Sequence, residues 1–333
     1  MPLALKRIAF SLGPIDVHWY GIILGTAALI GLYLAIYEGK RFKIIPDFFM
    51  DIILLGVPSA IIGARIYYVA FKWDDYKNNL MDVFAIWEGG IAIYGALIGA
   101  IIAVSIYCRR KGYSFIRIAD ICAPSLIAGQ MIGRWGNFIN QEAHGGPVAE
   151  SFLRDKLHLP DFIVNQMNID GIFYHPTFLY ESLWNLLVLL ILFWLRRRPW
   201  LKSGELFAGY FIGYSVGRFF IEGLRTDSLA FDGPAWLRAL MNGLWSPMQL
   251  YFEPGSMDYG NIRTSQVVAV LLILAAIGYI IFRRKKYGTA LPYYADPIVS
   301  SKAAAAAPAA QVQATPVRPA PAEDKAAQED KHV

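Results

Sequence analysis

The sequence predicts an all-α membrane protein: seven transmembrane helices with two extracytoplasmic loop or cap regions, the N-terminus outside and the C-terminus cytoplasmic. Three observations carry this. The 333-residue chain is 56% hydrophobic and only 17% charged, where a soluble domain carries about a quarter charged residues. Apolar runs of about twenty residues, the length that crosses a bilayer, recur along it. Basic residues cluster after every second run, the pattern of the positive-inside rule. The formal net charge of +5 therefore reflects topology, and no nucleic-acid groove is expected.

At the N-terminus, Lys6 and Arg7 precede a stretch broken by Gly13, Pro14 and Asp16. No small-residue cleavage site follows, so it does not read as a removable signal peptide. The first span is expected at 18–38, followed by Lys40, Arg41 and Lys43. The second, at 48–71, leads into a loop where Asp74, Asp75, Asp82 and Glu88 outweigh Lys72 and Lys77. The third, at 90–108, ends in Arg109, Arg110 and Lys111, and the fourth covers 117–135. Arg196, Arg197 and Arg198 follow the fifth, at 177–195. The sixth covers 205–222, and the seventh, at 264–282, ends in Arg283, Arg284, Lys285 and Lys286. Placing the basic connections in the cytoplasm puts the N-terminus outside, with Lys6 and Arg7 pulling weakly the other way.

The long connections 136–176 and 223–263 then lie on the outer face. They are rich in Trp, Phe, Tyr and Leu, which predicts an ordered cap rather than loose loops. Residues 1–288 thus form the seven-span body with its cap, and 289–333 an Ala/Pro-rich, disordered cytoplasmic tail. Glycines four apart (Gly21 and Gly25, Gly95 and Gly99, Gly129 and Gly133, then Gly209, Gly213 and Gly217) predict close helix contacts. Cys108 and Cys122 show neither a disulfide framework nor metal-ligand spacing.

Polar residues that the bilayer disfavours gather toward the outer side. Arg134 ends the fourth span, and Asn137, Asn140 and Glu142 follow at once. The run His175 to Glu181 opens the fifth span, and Arg218, Glu222 and Arg225 share one face of the sixth and its extension. A lone arginine at a span end is explained by snorkelling. Separate segments delivering Arg, Glu and Asn to one leaflet point to a site. Guanidinium forks suit phosphate, amides add uncharged donors, and the carboxylates would orient the guanidiniums. Chemistry alone therefore predicts an anionic phospholipid headgroup as the ligand.

Gly133-Arg134-Trp135-Gly136-Asn137-Phe138-Ile139-Asn140-Gln141-Glu142 with Gly145 resembles the signature of bacterial prolipoprotein diacylglyceryl transferase. The likeness continues at Trp19-Tyr20-Gly21, Trp87-Glu88-Gly89-Gly90, His175 to Glu181, Arg218 to Arg225 and Ser265-Gln266, covering roughly residues 10–285. It implies transfer of diacylglyceryl from phosphatidylglycerol to the lipobox cysteine thiol in the signal peptide of a preprolipoprotein. A thioether would form and glycerol 1-phosphate would leave, in the bacterial inner membrane with the site facing outward and no metal or organic cofactor. By position, Arg134 would clamp the lipid phosphate, with Arg218 and Arg225 as further phospholipid contacts. Asn137 and Asn140 would give polar support, Glu142 and Gly145 would shape the loop, and Tyr20, Arg218 and Glu222 would complete the site.

Family members carry His-Gly-Gly where this chain reads Tyr94-Gly95-Ala96, that His being associated with thiol activation. Free tyrosine, with a pKa of about 10, is a poor base. Either Tyr94 orients the thiol, or a carboxylate such as Glu142 accepts its proton, or the arginine field suffices; His18, His144 and His175 are further candidates. Two other classes are weighed against the transferase. A transporter of an anionic metabolite would line a path with arginine, but no inverted repeat is seen and the charges cluster at one face. An acyltransferase using its own thiol would need Cys108 or Cys122, both placed by the topology across the bilayer from Arg134. Oligomeric state is left open by the sequence.

Overall fold

A backbone crossing hydrocarbon must satisfy its own hydrogen bonds, so apolar stretches of this length fold as helices. The computed structural model describes residues 5–301 apart from Lys6, Pro14 and Asp258. The hairpin β1 (Ile8–Leu12) and β2 (Ile15–His18) leads into α1 (Trp19–Arg41), followed by α2 (Pro46–Phe71), the short α3 (Trp73–Tyr76), α4 (Ile93–Lys111) and α5 (Phe115–Asn140). The first cap segment contains α6 (Asp161–Gln166) and the small hairpin of β3 (Asn168–Ile169) and β4 (Ile172–Phe173). Then come α7 (Thr177–Leu195) and α8 (Glu205–Glu222). The second cap segment runs through β5 (Ala230–Phe231), α9 (Ala235–Trp245) and β6 (Ile262–Arg263), and α10 (Thr264–Tyr287) closes the bundle.

Among the described residues, six helices are long and apolar enough to cross a membrane: α1, α2, α4, α5, α7 and α10. The remaining predicted span is α8. Its 18 residues include Glu205, Arg218 and Glu222, and this charge separates it from the other six. It is nonetheless packed between α7 and α10 and against α5. The predicted end of the fourth span falls short, because α5 runs on to Asn140; Arg134, Asn137 and Asn140 therefore stand on a helix.

Packing divides the bundle in two. α1 lies along α5, which also contacts α7 and α8, whereas α2 pairs with α4. That pair is held by backbone approach: a Cβ on Gly95 would sit 2.3 Å from the Gly63 oxygen, and one on Gly99 2.3 Å from the Ser59 oxygen. Gly213 and Gly217 likewise accept Val188 and Trp184. The same expectation fails at Gly21, Gly25 and Gly129, where a Cβ would meet nothing within 4 Å. Spacing alone does not distinguish a glycine facing a helix from one facing open space.

The two caps have cores of their own, one around Phe138, Leu153, Val164 and Phe178, the other around Leu224, Met241, Trp245 and Ile262. At the opposite end the basic clusters converge on carboxylates. Glu38, 1% exposed, meets Arg41 at 3.2 Å, Arg196 at 3.2 Å and Arg197 at 3.5 Å, and accepts a hydrogen bond from the Tyr294 hydroxyl at 3.1 Å. Arg284 pairs with Glu205. Residues 289–301, expected as the start of the tail, are packed onto this end: Leu291 and Tyr294 are buried, and the Tyr294 amide donates to Leu201. Their apolar side chains are what the Ala/Pro composition of the rest conceals. The remainder of the expected tail, 302–333, lies outside the described residues.

Candidate active site

Gln130, Arg134 and Asn137 recur along one face of α5 and line a cavity of about 610 Å³ between α1, α2 and α5. At its outer end Arg134 Nη2 lies 2.6 Å from Glu181 Oε1 of α7, and Arg134 Nη1 donates to Asn137 Oδ1 at 3.3 Å. Arg218 of α8 comes from the other side: its Nη2 is 2.6 Å from Glu222 Oε2 and its Nη1 is 3.7 Å from Glu181 Oε2. The predicted helical neighbours Arg218 and Glu222 thus form an ion pair. Glu181 joins that pair to Arg134, so three helices converge on one carboxylate.

The electrostatics follow from burial. Glu181 and Glu222 are each 2% exposed, and either charge would be costly there without a partner. The arginine side chains, 20% and 19% exposed, retain an open edge. Arg218 Nη1 is too far from Glu181 for a hydrogen bond and has no other partner among the described residues. Two guanidiniums and two carboxylates leave the cluster formally neutral, with at least one donor unfilled.

The loop after α5 holds the other polar groups. Gln141 and Ala143 adopt left-handed φ values of 55° and 57°. For side chains other than glycine this costs about 1–3 kcal/mol each, and it persists where surrounding contacts over-determine the backbone. Here Gln141 Nε2 donates to the Gln166 carbonyl at 2.8 Å, and Thr177 Oγ1 donates to the Ala143 carbonyl at 2.5 Å. The result turns Glu142 back over the helix end. Asn137 Nδ2 donates to its Oε1 at 2.8 Å, with Asn140 Nδ2 at 3.5 Å.

Gly145 lies where this loop crosses two others. Its amide donates to the His175 carbonyl at 3.0 Å, and it bridges to Arg225 in antiparallel fashion. A Cβ at Gly145 would lie 2.7 Å from the His175 Cβ, so no larger residue fits the crossing unchanged. The Arg225 guanidinium grips Asp227 through Nε at 2.9 Å and Nη2 at 2.7 Å. Burial pushes the Asp227 carboxyl up, but these bonds outweigh it and hold it below the usual carboxylate range. Arg225 is thereby tied to the loop crossing and is not among the ion pairs at Glu181.

The Tyr20 ring covers Gly136, where a Cβ would lie 2.5 Å from its Cδ2, and lines the cavity beside Arg134 and Asn137. Tyr94 is elsewhere. It opens α4, half exposed, with its ring 6.4 Å from that of Tyr67, and no hydrogen bond joins it to the arginine cluster among the described residues. His175 is buried among Phe152, Tyr180 and Phe252, and burial lowers its pKa below the ordinary histidine value, Glu253 opposing only in part. The His144 ring packs against Tyr174 at a tilt of 41°, and His18 is exposed at the end of β2. Three contributors were not legible from spacing: Asp227 as the partner of Arg225, Thr177 as a loop anchor, and Gln166, whose amide reaches the Phe138 and Ile139 carbonyls. Thr177 and Gln166 have their partners on other segments, and Asp227 reaches Arg225 only because the chain has left the helix, so helical periodicity carries no trace of them. Such a centre, anion donors at the mouth of an apolar cavity, suits an amphiphile with a phosphate head.

A family model described as prolipoprotein diacylglyceryl transferase matches residues 7–282. The phosphatidylglycerol–prolipoprotein diacylglyceryl transferase of Listeria monocytogenes serotype 4b (strain CLIP80459) is 50% identical over 292 residues, which cover 88% of this chain and 94% of that protein. Its namesake in Geobacillus kaustophilus (strain HTA426) is 50% identical over 292 residues, 88% of this chain and 97% of that one. The Bacillus cereus (strain Q1) enzyme is 50% identical over 281 residues, 84% and 93% of the two chains.

Proposed function

The chain belongs to the prolipoprotein diacylglyceryl transferase family, and from that premise we propose that the Arg134–Glu181–Arg218 centre performs its chemistry. The protein is a multi-pass membrane transferase of lipoprotein biosynthesis. It moves the diacylglyceryl group of phosphatidylglycerol onto a prolipoprotein. The acceptor is the lipobox cysteine thiol in the prolipoprotein signal peptide. The sulfur bonds to the terminal glyceryl carbon while that carbon's bond to the phosphate oxygen breaks. Thioether and glycerol 1-phosphate result, and the thiol proton leaves with a base or with the phosphate.

The observation that carries this reading is Arg134 at the mouth of the cavity, joined through Glu181 to a buried Arg218 donor that has no hydrogen-bond partner among the described residues. Negative charge grows on the departing phosphate, and donors already fixed in place stabilise it without reorganising. Glu181 and Glu222 fix the two guanidiniums, and Asn137 is fixed by Glu142. Cavity and mouth together bring lipid and thiol into one place, which lowers the entropic barrier. Glu142, exposed and next to Asn137 and Asn140, is the carboxylate best placed to receive the thiol proton; the separation of Tyr94 from the cluster argues against Tyr94. Arg225, committed to Asp227, supports the Gly145 crossing and reaches the phosphate at most through its remaining nitrogen.

We read α8 as the seventh span, its charge covered by Glu181 and by the Arg284–Glu205 pair. The gathering of Arg41, Arg196, Arg197 and Arg284 at one end supports placing that end in the cytoplasm, hence the Arg134 cluster at the outer face of the bacterial inner membrane. Incubating the purified protein with phosphatidylglycerol and a lipobox peptide tests the reaction. The peptide should gain the mass of diacylglyceryl while glycerol phosphate appears in solution. No mass gain, where the Listeria relative modifies the same peptide, overturns it.

A further inference from the structure

The cavity under Arg134 is deeper than a headgroup site requires. Along α5 it is lined from Asn137 and Arg134 down to Ser125 and Cys122, and along α1 from Tyr20 down to Ala35. From Arg134 to Cys122 the helix descends about 18 Å at 1.5 Å per residue, slightly more than one leaflet's hydrocarbon, about 15 Å. Ala35 and Phe49, 5% and 2% exposed, close its inner end together with Cys122. Phe49 cannot swing away, because its ring already fills the space beside Gly39, where a Cβ would lie 2.2 Å from Cε2.

The walls are made open by residue size. A Cβ at Gly129 would meet nothing within 4 Å, and one at Gly133 only Leu24 at 3.7 Å. These glycines therefore widen the groove. A polar mouth that suits phosphate, above an apolar shaft of this depth, matches one acyl chain attached to the headgroup held by Arg134. A zigzag of carbon–carbon bonds of about 1.5 Å advances roughly 1.25 Å per carbon, so about 14 carbons fit between the levels of Arg134 and Cys122.

Resting on the transferase reading above, we propose that this shaft measures one acyl chain of the donor lipid, with Ala35, Phe49 and Cys122 as its floor and Gly129 as the position that keeps its middle clear. The depth of an obstruction then sets the longest chain accepted. Gly129 lies five residues below Arg134, about 7.5 Å, which leaves room for about six carbons above it.

The test compares dihexanoyl, didodecanoyl and dimyristoyl phosphatidylglycerol in mixed micelles, with a lipobox peptide and mass spectrometry of the thioether product. Gly129→Leu, which projects into open space and leaves the packing intact, should reduce turnover of the dodecanoyl and myristoyl lipids by ~10-fold or more relative to hexanoyl. Cys122→Phe, at the floor, should reduce only the myristoyl lipid. Either variant treating all three lipids as the wild type does, or both giving the same cut-off, overturns the ruler. If the wild type modifies the peptide with none of the three lipids, it is the transferase reading that falls.

Discussion

Glu181→Gln separates the role of charge from the role of shape at the centre. The amide replaces a buried carboxylate that lies 2.6 Å from Arg134 and 3.7 Å from Arg218, with no change of size. The shorter contact is a close ion pair, so the variant replaces a charge–charge attraction by a weaker charge–dipole one and loosens the hold on Arg134. A looser Arg134 worth about 1.4 kcal/mol in the transition state lowers kcat by ~10-fold. Binding moves the other way. The resting cluster of Arg134, Arg218, Glu181 and Glu222 is neutral, and removing one negative charge leaves a net positive site for a lipid monoanion. The expected result is therefore a fall in kcat with a KM for phosphatidylglycerol that is equal or lower. Initial rates against lipid mole fraction in mixed micelles measure both, with thermal unfolding in detergent to confirm that the variant folds. A variant with unchanged kcat, or one whose KM rises while kcat holds, would refute the idea that Glu181 positions Arg134 for catalysis.

Three further outcomes are expected. Gly145→Ala places a Cβ 2.7 Å from that of His175 and 3.2 Å from the Leu224 oxygen, so the crossing must shift; a stability loss of about 1–3 kcal/mol by denaturant titration should accompany a larger loss of turnover. Burial holds His175 neutral below its ordinary range, so the unfolded chain takes up a proton that the folded chain refuses once pH falls below about 6.5. Stability should then decline with falling pH by up to about 1.4 kcal/mol per pH unit, and His175→Phe should flatten that part of the thermal-melting profile. Tyr94→Phe, at a half-exposed position away from the arginines, should leave turnover within about twofold of wild type; a drop of ~100-fold would instead give Tyr94 the thiol proton.

Hydropathy identified the helices because bilayer thickness acts on each segment separately, and neither α1 nor α10 needs a neighbour to explain its length. Local periodicity went equally far at Arg218 and Glu222, one turn apart on α8 and paired at 2.6 Å. It stopped where partners come from elsewhere. Glu181 was legible as a carboxylate in the right run, but its place between two arginines depends on α7 lying between α5 and α8. Arg225 looked like a third phosphate ligand by helical phase; the chain leaves the helix after Glu222, and Asp227 folds back onto the guanidinium. The loop-like look of Asn137 and Asn140 concealed a helix whose last turn is kept by Gln166 accepting nothing from it and donating to the Phe138 and Ile139 carbonyls. Glycine spacing was least informative, because Gly95 and Gly129 belong to the same pattern yet one meets backbone and the other open space.

The pairing of Arg134 and Arg218 with carboxylates has a consequence for turnover on the proposed reaction. Unpaired guanidiniums at this depth would be costly to fold, and buried ion pairs recover part of that cost only with good geometry. Two unpaired arginines would also favour the product over the substrate. Phosphatidylglycerol carries a single negative phosphodiester charge, whereas the departing phosphate monoester carries up to two. With Glu181 and Glu222 already on the guanidiniums, the donor left open is Arg218 Nη1, together with the exposed edge of Arg134. On the proposed reaction that positive field would steady one developing charge, and the carboxylates would reclaim the arginines as the monoester departs. The same argument gives Glu222→Gln a signature distinct from Glu181→Gln. Freed from its partner at 2.6 Å, Arg218 should bind glycerol phosphate more tightly, so added glycerol 1-phosphate should inhibit Glu222→Gln ~10-fold more strongly than the wild type. Equal inhibition of the two proteins would show that the carboxylates serve folding alone.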